Sequence, residues 1–245
     1  MGRLNYHGLR VRKRPHFQQL GGTLFVTFRL ADSIPKSIVR YYKAKRDWLK
    51  DQLRRVERLS GEAQSAERTS WLTQLEQLNR EWFLKCEDIL HREAVGPAWL
   101  RDDRVANKVA ENLHRLDGDA YRLDAFSVMS NHVHTVFRPL VSSELMEEIL
   151  RSQDDSLARI PALSRIMHTL KGRSARECNL ILGRSGSFWE HESFDRVIRK
   201  GKFDKTIRYV LNNPVKIALV RNWEDYRWNY CRQEWIERYR MQTPD

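Results

Sequence analysis

The stretch that decides the fold is Tyr121-Arg122-Leu123-Asp124-Ala125-Phe126-Ser127-Val128-Met129-Ser130-Asn131-His132-Val133-His134-Thr135-Val136-Phe137. Tyr121 to Val128 alternates as a strand does, Met129-Ser130-Asn131 turns, and His132 to Phe137 returns as its neighbour, which predicts an antiparallel pair. Upstream, Gly21-Gly22 turns the chain into Thr23-Leu24-Phe25-Val26-Thr27-Phe28-Arg29-Leu30, a β-branched and aromatic run suited to a buried strand and stopped by Pro35. Downstream, Phe194 to Ile198 reads as a short strand. Between the strands, Asp102 and Asp103 can cap a helix through about Leu116, and Asp117-Gly118-Asp119 ends it. Further helices are expected at about 143–151, over Pro161 to Leu180, and from Asp204 to Asn212, ending before Pro214. The sum is an antiparallel α+β domain.

The segment from Lys36 to His91 differs in character, being long, charged and poor in glycine. Its apolar positions at Val39, Tyr42, Leu49, Leu53 and Val56, then Leu72, Leu75, Trp82, Cys86 and Ile89, fall at spacings of three, four and seven. They predict two amphipathic helices. Ser60-Gly61 and the polar stretch to Ser70 supply the reversal of an antiparallel hairpin, with the Trp and Leu stripe as its packing seam. The expected organisation is a basic arm at 1–15, a main domain at 16–221 interrupted by a helical insertion at 36–93, and a tail at 222–245.

Charge narrows the partners. The chain of 245 residues carries 44 Lys and Arg against 32 Asp and Glu, a formal net charge of +12. Such a surface attracts polyanions, which nominates nucleic acid or an anionic membrane. No apolar run is long enough to cross a bilayer, and the Met-Gly-Arg start lacks the apolar stretch of a secretion signal, so the expected location is the cytoplasm. Cys86, Cys178 and Cys231 are widely spaced and form no Cys-x-x-Cys, which fits reduced thiols. The arm holds Arg3, Arg10, Arg12, Lys13 and Arg14 with no acid before Pro15 and is suited either to phosphates or to solvent.

Two constellations can carry chemistry. His132 and His134 stand two apart on a strand, so both imidazoles project from one face while Val133 turns to the other; they suit one metal ion, or are strand histidines without a ligand. Tyr209 and Asn213 are four apart on a helix and share one of its faces; they are reactive groups, or a half-buried phenol and a capping amide. The stretch 196–216 carries seven Lys or Arg against one Asp, a positive setting for a phosphodiester.

Three blocks carry a resemblance. Ser127-Val128-Met129-Ser130-Asn131-His132-Val133-His134 resembles the Met-Pro-Asn-His-Val-His signature of the HUH (His-hydrophobe-His) single-strand transposases. Tyr209-Val210-Leu211-Asn212-Asn213-Pro214-Val215-Lys216 is similar to the Tyr-x-x-x-Asn-Pro-Val segment of one branch, the REP-associated tyrosine transposases. Phe188-Trp189-Glu190-His191-Glu192-Ser193-Phe194-Asp195-Arg196-Val197-Ile198-Arg199 resembles the Trp-Gln-x-x-x-Phe-Asp-x-x-Ile-Arg block between them. Asp225-Tyr226-Arg227-Trp228 is a further match. The sequence departs from the pattern at Ser130 in place of proline, Glu190 in place of glutamine, and Ile217-Ala218 in place of Ala-Gly.

The resemblance implies an HUH-type antiparallel sheet flanked by helices, ferredoxin-like in topology, with the helical hairpin inserted into it. It implies His132, His134 and the Asn213 amide oxygen as metal ligands and Tyr209 as nucleophile. Magnesium or manganese suits that mixed set without excluding zinc. The activity implied is a single-strand DNA endonuclease and strand transferase acting on palindromic, REP-like hairpins through a 5′-phosphotyrosine. Ionising an unassisted phenol at pH 7 costs about 4 kcal/mol, so the site has to help. Lys171, Trp189, Arg199, Lys202 and Lys205 join Arg10, Arg12, Lys13 and Arg14 as candidate DNA contacts, and Trp223 and Trp228 are further candidates for base stacking. A domesticated palindrome-binding regulator or architectural protein with weak or no cleavage is the alternative. A replication initiator or relaxase shares the metal-tyrosine logic but generally holds its tyrosine in other surroundings. The expected state is a nucleoid-associated monomer.

Overall fold

The computed structural model describes residues 22–56, 58, 62–93, 95–140 and 162–240. The basic arm and the helix expected at 143–151 lie outside these residues. Five antiparallel strands form one sheet: β1 (Leu24–Arg29), β2 (Tyr121–Val128), β3 (His132–Pro139), β4 (Phe194–Val197) and β5 (Asn229–Cys231), in the order β4-β1-β3-β2-β5. β1 is buried at every position because it is paired on both edges, to β3 and to β4, and covered on both faces. That explains its unbroken apolar and aromatic run.

The described helices are α1 (Lys36–Val56), α2 (Glu62–Arg92), α3 (Asp103–Arg115), α4 (Ala162–Ile181), α5 (Phe203–Leu211), α6 (Asn213–Lys216) and α7 (Gln233–Arg240). Chain order β1-α3-β2-β3-α4-β4 with sheet order β4-β1-β3-β2 is the split βαβ arrangement of a ferredoxin-like fold, and β5 extends it beyond β2. Asp102 caps α3 by accepting from the Arg104 amide, as its position predicts.

Each face of the sheet has its own core. On one, Val26, Phe28, Val133 and Phe137 pack with Val105, Val109 and Leu113 of α3 and Ile166, Met167 and Leu170 of α4. On the other, Phe25, Ala125 and Val136 pack with Ile207, Val210 and Leu211 of α5, with Phe83 of α2 and with Tyr239 of α7. Full burial of such side chains contributes roughly 1.5–3 kcal/mol each, so both layers are anchored to the sheet that carries the histidines.

The inserted segment is a hairpin with its own seam of Leu49, Leu75 and Leu78, flanked by Tyr42 and Trp71. α2 begins at Glu62, earlier than the polar stretch to Ser70 suggests, because charged residues suit an exposed helical face as well as a loop. Beyond α2 the chain approaches the turn after β1 so closely that a Cβ on Gly96, at φ +82°, would lie 2.4 Å from the Asp32 carbonyl oxygen. Only glycine fits there without strain.

Two boundaries differ from expectation. Pro214 does not end the helical path: α5 stops at Leu211 and α6 runs from Asn213, with proline in its first turn, where a missing N–H costs no helical hydrogen bond. The sheet also continues past residue 221, since Asn229–Cys231 pairs with β2 and Arg232 bonds both oxygens of Asp117 at 2.8 Å. Three residues are too few to show a strand's alternation.

Candidate metal centre and nucleophile

β3 projects His132 and His134 onto the face of the sheet covered by α2 and α5, while Val133 enters the opposite core. Their Nε2 atoms are 3.0 Å apart. Both rings are buried, at 1% and 0% exposure, and each is set by a partner on its Nδ1 side. The β1–β3 register places Thr27 opposite His134, and Thr27 Oγ1 lies 2.8 Å from His134 Nδ1. Asn131 Nδ2 donates to the Leu90 carbonyl of α2 at 3.0 Å, which leaves Asn131 Oδ1 to accept from His132 Nδ1–H at 2.7 Å. His132 Nε2 therefore presents a lone pair, the arrangement that orients a metal-ligating imidazole. Burial, and then the neighbouring His134, hold the His132 imidazole well below its ordinary pKa, so the ring is neutral as a ligand must be.

α5 and α6 bring Tyr209 and Asn213 to the same place. The Tyr209 ring lies 5.7 Å from that of His134 and 5.8 Å from that of Phe25, so phenol and imidazoles share one site. Asn213 is fully buried. Its Nδ2 donates to the Tyr209 carbonyl at 2.7 Å, which directs Oδ1 to accept from His91 Nε2–H at 3.1 Å. Lys216 Nζ sits 3.7 Å from the centre of the Tyr209 ring, a cation against the π face.

Two further candidate residues come from the inserted helix, where the sequence reading assigned only packing. Glu87 and His91 of α2 join His132 and His134 in a cluster whose candidate ligand atoms all lie within 4.8 Å of one another. Glu87 Oε2 accepts a short hydrogen bond from the Tyr209 hydroxyl and is 3.4 Å from His134 Nε2. Burial opposes a charge on Glu87, yet His134, His132 and the Tyr209 hydroxyl outweigh it and keep the carboxyl well below the usual carboxylate range. The same contact works the other way on the phenol: burial first, then the Glu87 charge and hydrogen bond, push Tyr209 far above its ordinary value. The signal that could have found the pair was the i, i+4 spacing of Glu87 and His91 on one helical face.

Glu87 Oε1 is buried and has no hydrogen-bond partner among the described residues. A buried carboxylate whose Oε2 lies 3.4 Å from His134 Nε2 and 3.8 Å from His91 Nε2, and whose other oxygen is unmet, is costly without a cation and satisfied by one, so the residues present fit a bound divalent metal.

The other candidates separate into two groups. Trp189, expected to contact DNA, is instead core: it is 7% exposed, packs edge-on to Phe28 at 4.7 Å, and donates Nε1–H to Ser174 Oγ at 2.9 Å. Lys171 donates to the carbonyls of Glu190 and His191 at 2.8 and 3.0 Å and so ties down that loop. Trp228 donates to Asn107 at 3.0 Å, and Trp223 packs partly buried against the second core. Arg199, Lys202 and Lys205 are exposed, Arg199 within 4.0 Å of Glu76. Trp189→Phe is expected to lower stability by about 1–2 kcal/mol through the lost hydrogen bond, read by urea denaturation, with no change in the salt dependence of DNA binding.

The departures from the motif pattern have structural partners. Ser130 bonds Glu93 at the end of α2, Glu190 pairs with Arg29 at 3.2 Å, and Ala218 adopts φ +57°, a left-handed conformation that favours glycine.

An antiparallel α+β sheet that sets a His/Glu cluster able to hold a metal against a half-buried tyrosine is thus the class of site the chain builds. Among solved structures the chain is similar to a REP-associated tyrosine transposase bound to a REP hairpin, at 12% identity and a TM-score of 0.46, over 96% of this chain and 89% of that one. No protein-family model and no curated protein sequence matches it. No helix among the described residues is long and apolar enough to cross a membrane.

Proposed function

We propose that the protein is a metal-dependent single-tyrosine DNA nuclease and strand transferase of the HUH type, acting on single-stranded or hairpin DNA with palindromic character. The observation that carries this reading is the meeting of the Tyr209 phenol with the His132-His134 pair across one buried site, in the three motif blocks that resemble the REP-associated tyrosine transposases.

His132, His134 and the Asn213 amide oxygen would hold the ion. A divalent cation, magnesium or manganese, supplies charge neutralisation at a phosphate oxygen. The protein's own residues do the rest. Glu87 fixes the hydroxyl of Tyr209, and Phe25 and Phe83 fix its ring, at 5.8 and 6.2 Å between centroids. Attack of the phenolic oxygen on phosphorus breaks the bond to the 3′ oxygen, leaving a 5′-phosphotyrosine and a 3′-hydroxyl; attack of a 3′-hydroxyl on the adduct restores the phosphodiester and frees Tyr209, so strands rejoin without an external energy source. Arg199, Lys202 and Lys205 are exposed at the approach to α5 and, with Arg10, Arg12, Lys13 and Arg14 of the basic arm, would hold phosphates. Such a protein acts where DNA is, in the cytoplasm and on the nucleoid.

The test is a denaturing gel. Purified protein with manganese and single-stranded palindromic DNA is expected to give a band in which one DNA product remains attached to the chain, and a chelator should remove it. Binding should weaken steeply as salt rises. Tight hairpin binding without any attached product would instead favour a palindrome-binding regulator.

A further inference from the structure

The helical hairpin carries part of the metal centre. We propose that Glu87 and His91 of α2 bind the divalent cation together with His132 and His134, and that the ion is a transition metal such as zinc, cobalt or manganese in preference to magnesium. This deepens the reading above, since it enlarges the ligand set at the same site.

Four observations converge. The candidate ligand atoms of Glu87, His91, His132 and His134 fall within 4.8 Å of one another, close to the separations expected of donors that share one ion at about 2.0–2.2 Å. Glu87 is 6% exposed, and its Oε1 has no hydrogen-bond partner among the described residues while Oε2 holds the Tyr209 hydroxyl. Oε2 is also the oxygen nearest the imidazoles, 3.4 Å from His134 Nε2 and 3.8 Å from His91 Nε2, so one carboxylate stands between ion and phenol. The His132 tautomer is fixed by Asn131, which is itself oriented by the Leu90 carbonyl of the same helix. Finally, His91 Nε2 lies 3.1 Å from Asn213 Oδ1 and 3.8 Å from Glu87 Oε2, so an ion bound there would take the place of the His91–Asn213 hydrogen bond, with the ring in its other tautomer. Three imidazoles with one carboxylate suit borderline transition ions, whereas magnesium takes a set dominated by oxygen.

Glu87 and His91 sit on a segment whose ends leave and rejoin the sheet, yet three bonds pin that helix and its C-terminal end to the site: Asn131 to the Leu90 carbonyl, Ser130 to Glu93, and Tyr209 to Glu87. A helix that served only as a spacer would not require them.

The experiment is a cobalt titration of the full chain without DNA, followed by visible absorption and by the rise in thermal midpoint. The expected result is a saturable cobalt spectrum, displaced by zinc and not by equimolar magnesium. Glu87→Gln and His91→Gln should each weaken cobalt binding by about 10- to 100-fold and alter the spectrum, with far-ultraviolet circular dichroism showing that both fold. His91 is half-buried, so its variant keeps the test open should Glu87→Gln unfold. Wild-type affinity and spectrum in the folded variants would overturn the assignment, as would a wild-type chain that binds no cobalt. DNA attachment separates the two claims. An adduct formed with magnesium, alongside unchanged cobalt binding in the variants, sinks the ligand set and leaves the nuclease reading intact. Weakened cobalt binding in the variants with no adduct under any metal supports the ligand set and removes the nuclease.

Discussion

Tyr209→Phe is expected to abolish the covalent protein–DNA product, lowering cleavage by about a thousandfold or more, while hairpin DNA still binds. The substitution deletes one oxygen and nothing else. The ring keeps its edge contacts with Phe25 and His134 at 5.8 and 5.7 Å, and the Lys216 ammonium keeps an aromatic face. What is lost is the phenolic oxygen that the proposed reaction needs, together with its hydrogen bond to Glu87. A denaturing gel with end-labelled DNA reads the effect directly. Unimpaired attachment in the variant would assign the nucleophile elsewhere.

Phe25→Ala should be the most damaging single change among the aromatics around the site, costing about 3–5 kcal/mol in chemical denaturation. Phe25 is fully buried, and its ring meets Phe83 of α2, Phe194 of β4, His134 of β3 and Tyr209 of α5 at 5.7 to 6.2 Å. Removing it opens a cavity where four elements converge. Because two of those neighbours are a metal-ligand candidate and the proposed nucleophile, the rate of adduct formation should fall as well. A loss below about 1 kcal/mol would mean that the surrounding elements collapse into the space, and that the site is less rigid than its packing indicates.

Much of this fold was legible in the chain because its signals are local. β2, the turn at Met129-Ser130-Asn131 and β3 follow from alternation and turn residues, and the buried β1 from its aromatic and β-branched run. The histidine pair was legible for the same reason, since a strand places alternate residues on one face whatever surrounds it. Glu87 and His91 were not. On α2 they read as two more polar residues in a charged helix, and only the packing of that helix over the sheet gives them partners. Trp189 erred in the opposite direction: a tryptophan inside a motif block invites a role in recognition, but a large aromatic next to a strand is more often buried, and Ser174 on α4 supplies the partner its indole N–H needs. Lys171 reads as a free cation until the 190–191 loop is folded against it. In each case the deciding partner lies far along the chain, where periodicity carries no information.

The bond between Tyr209 and Glu87 joins residues 122 positions apart. During synthesis the histidine strand and the hairpin leave the ribosome well before the helix that bears the phenol, so a growing chain can gather Glu87, His91, His132 and His134 first and gains Tyr209 and Asn213 only near its end. A truncated translation product that ends before α5 would carry four of the candidate ion-binding groups and, on the proposed mechanism, be unable to nick DNA.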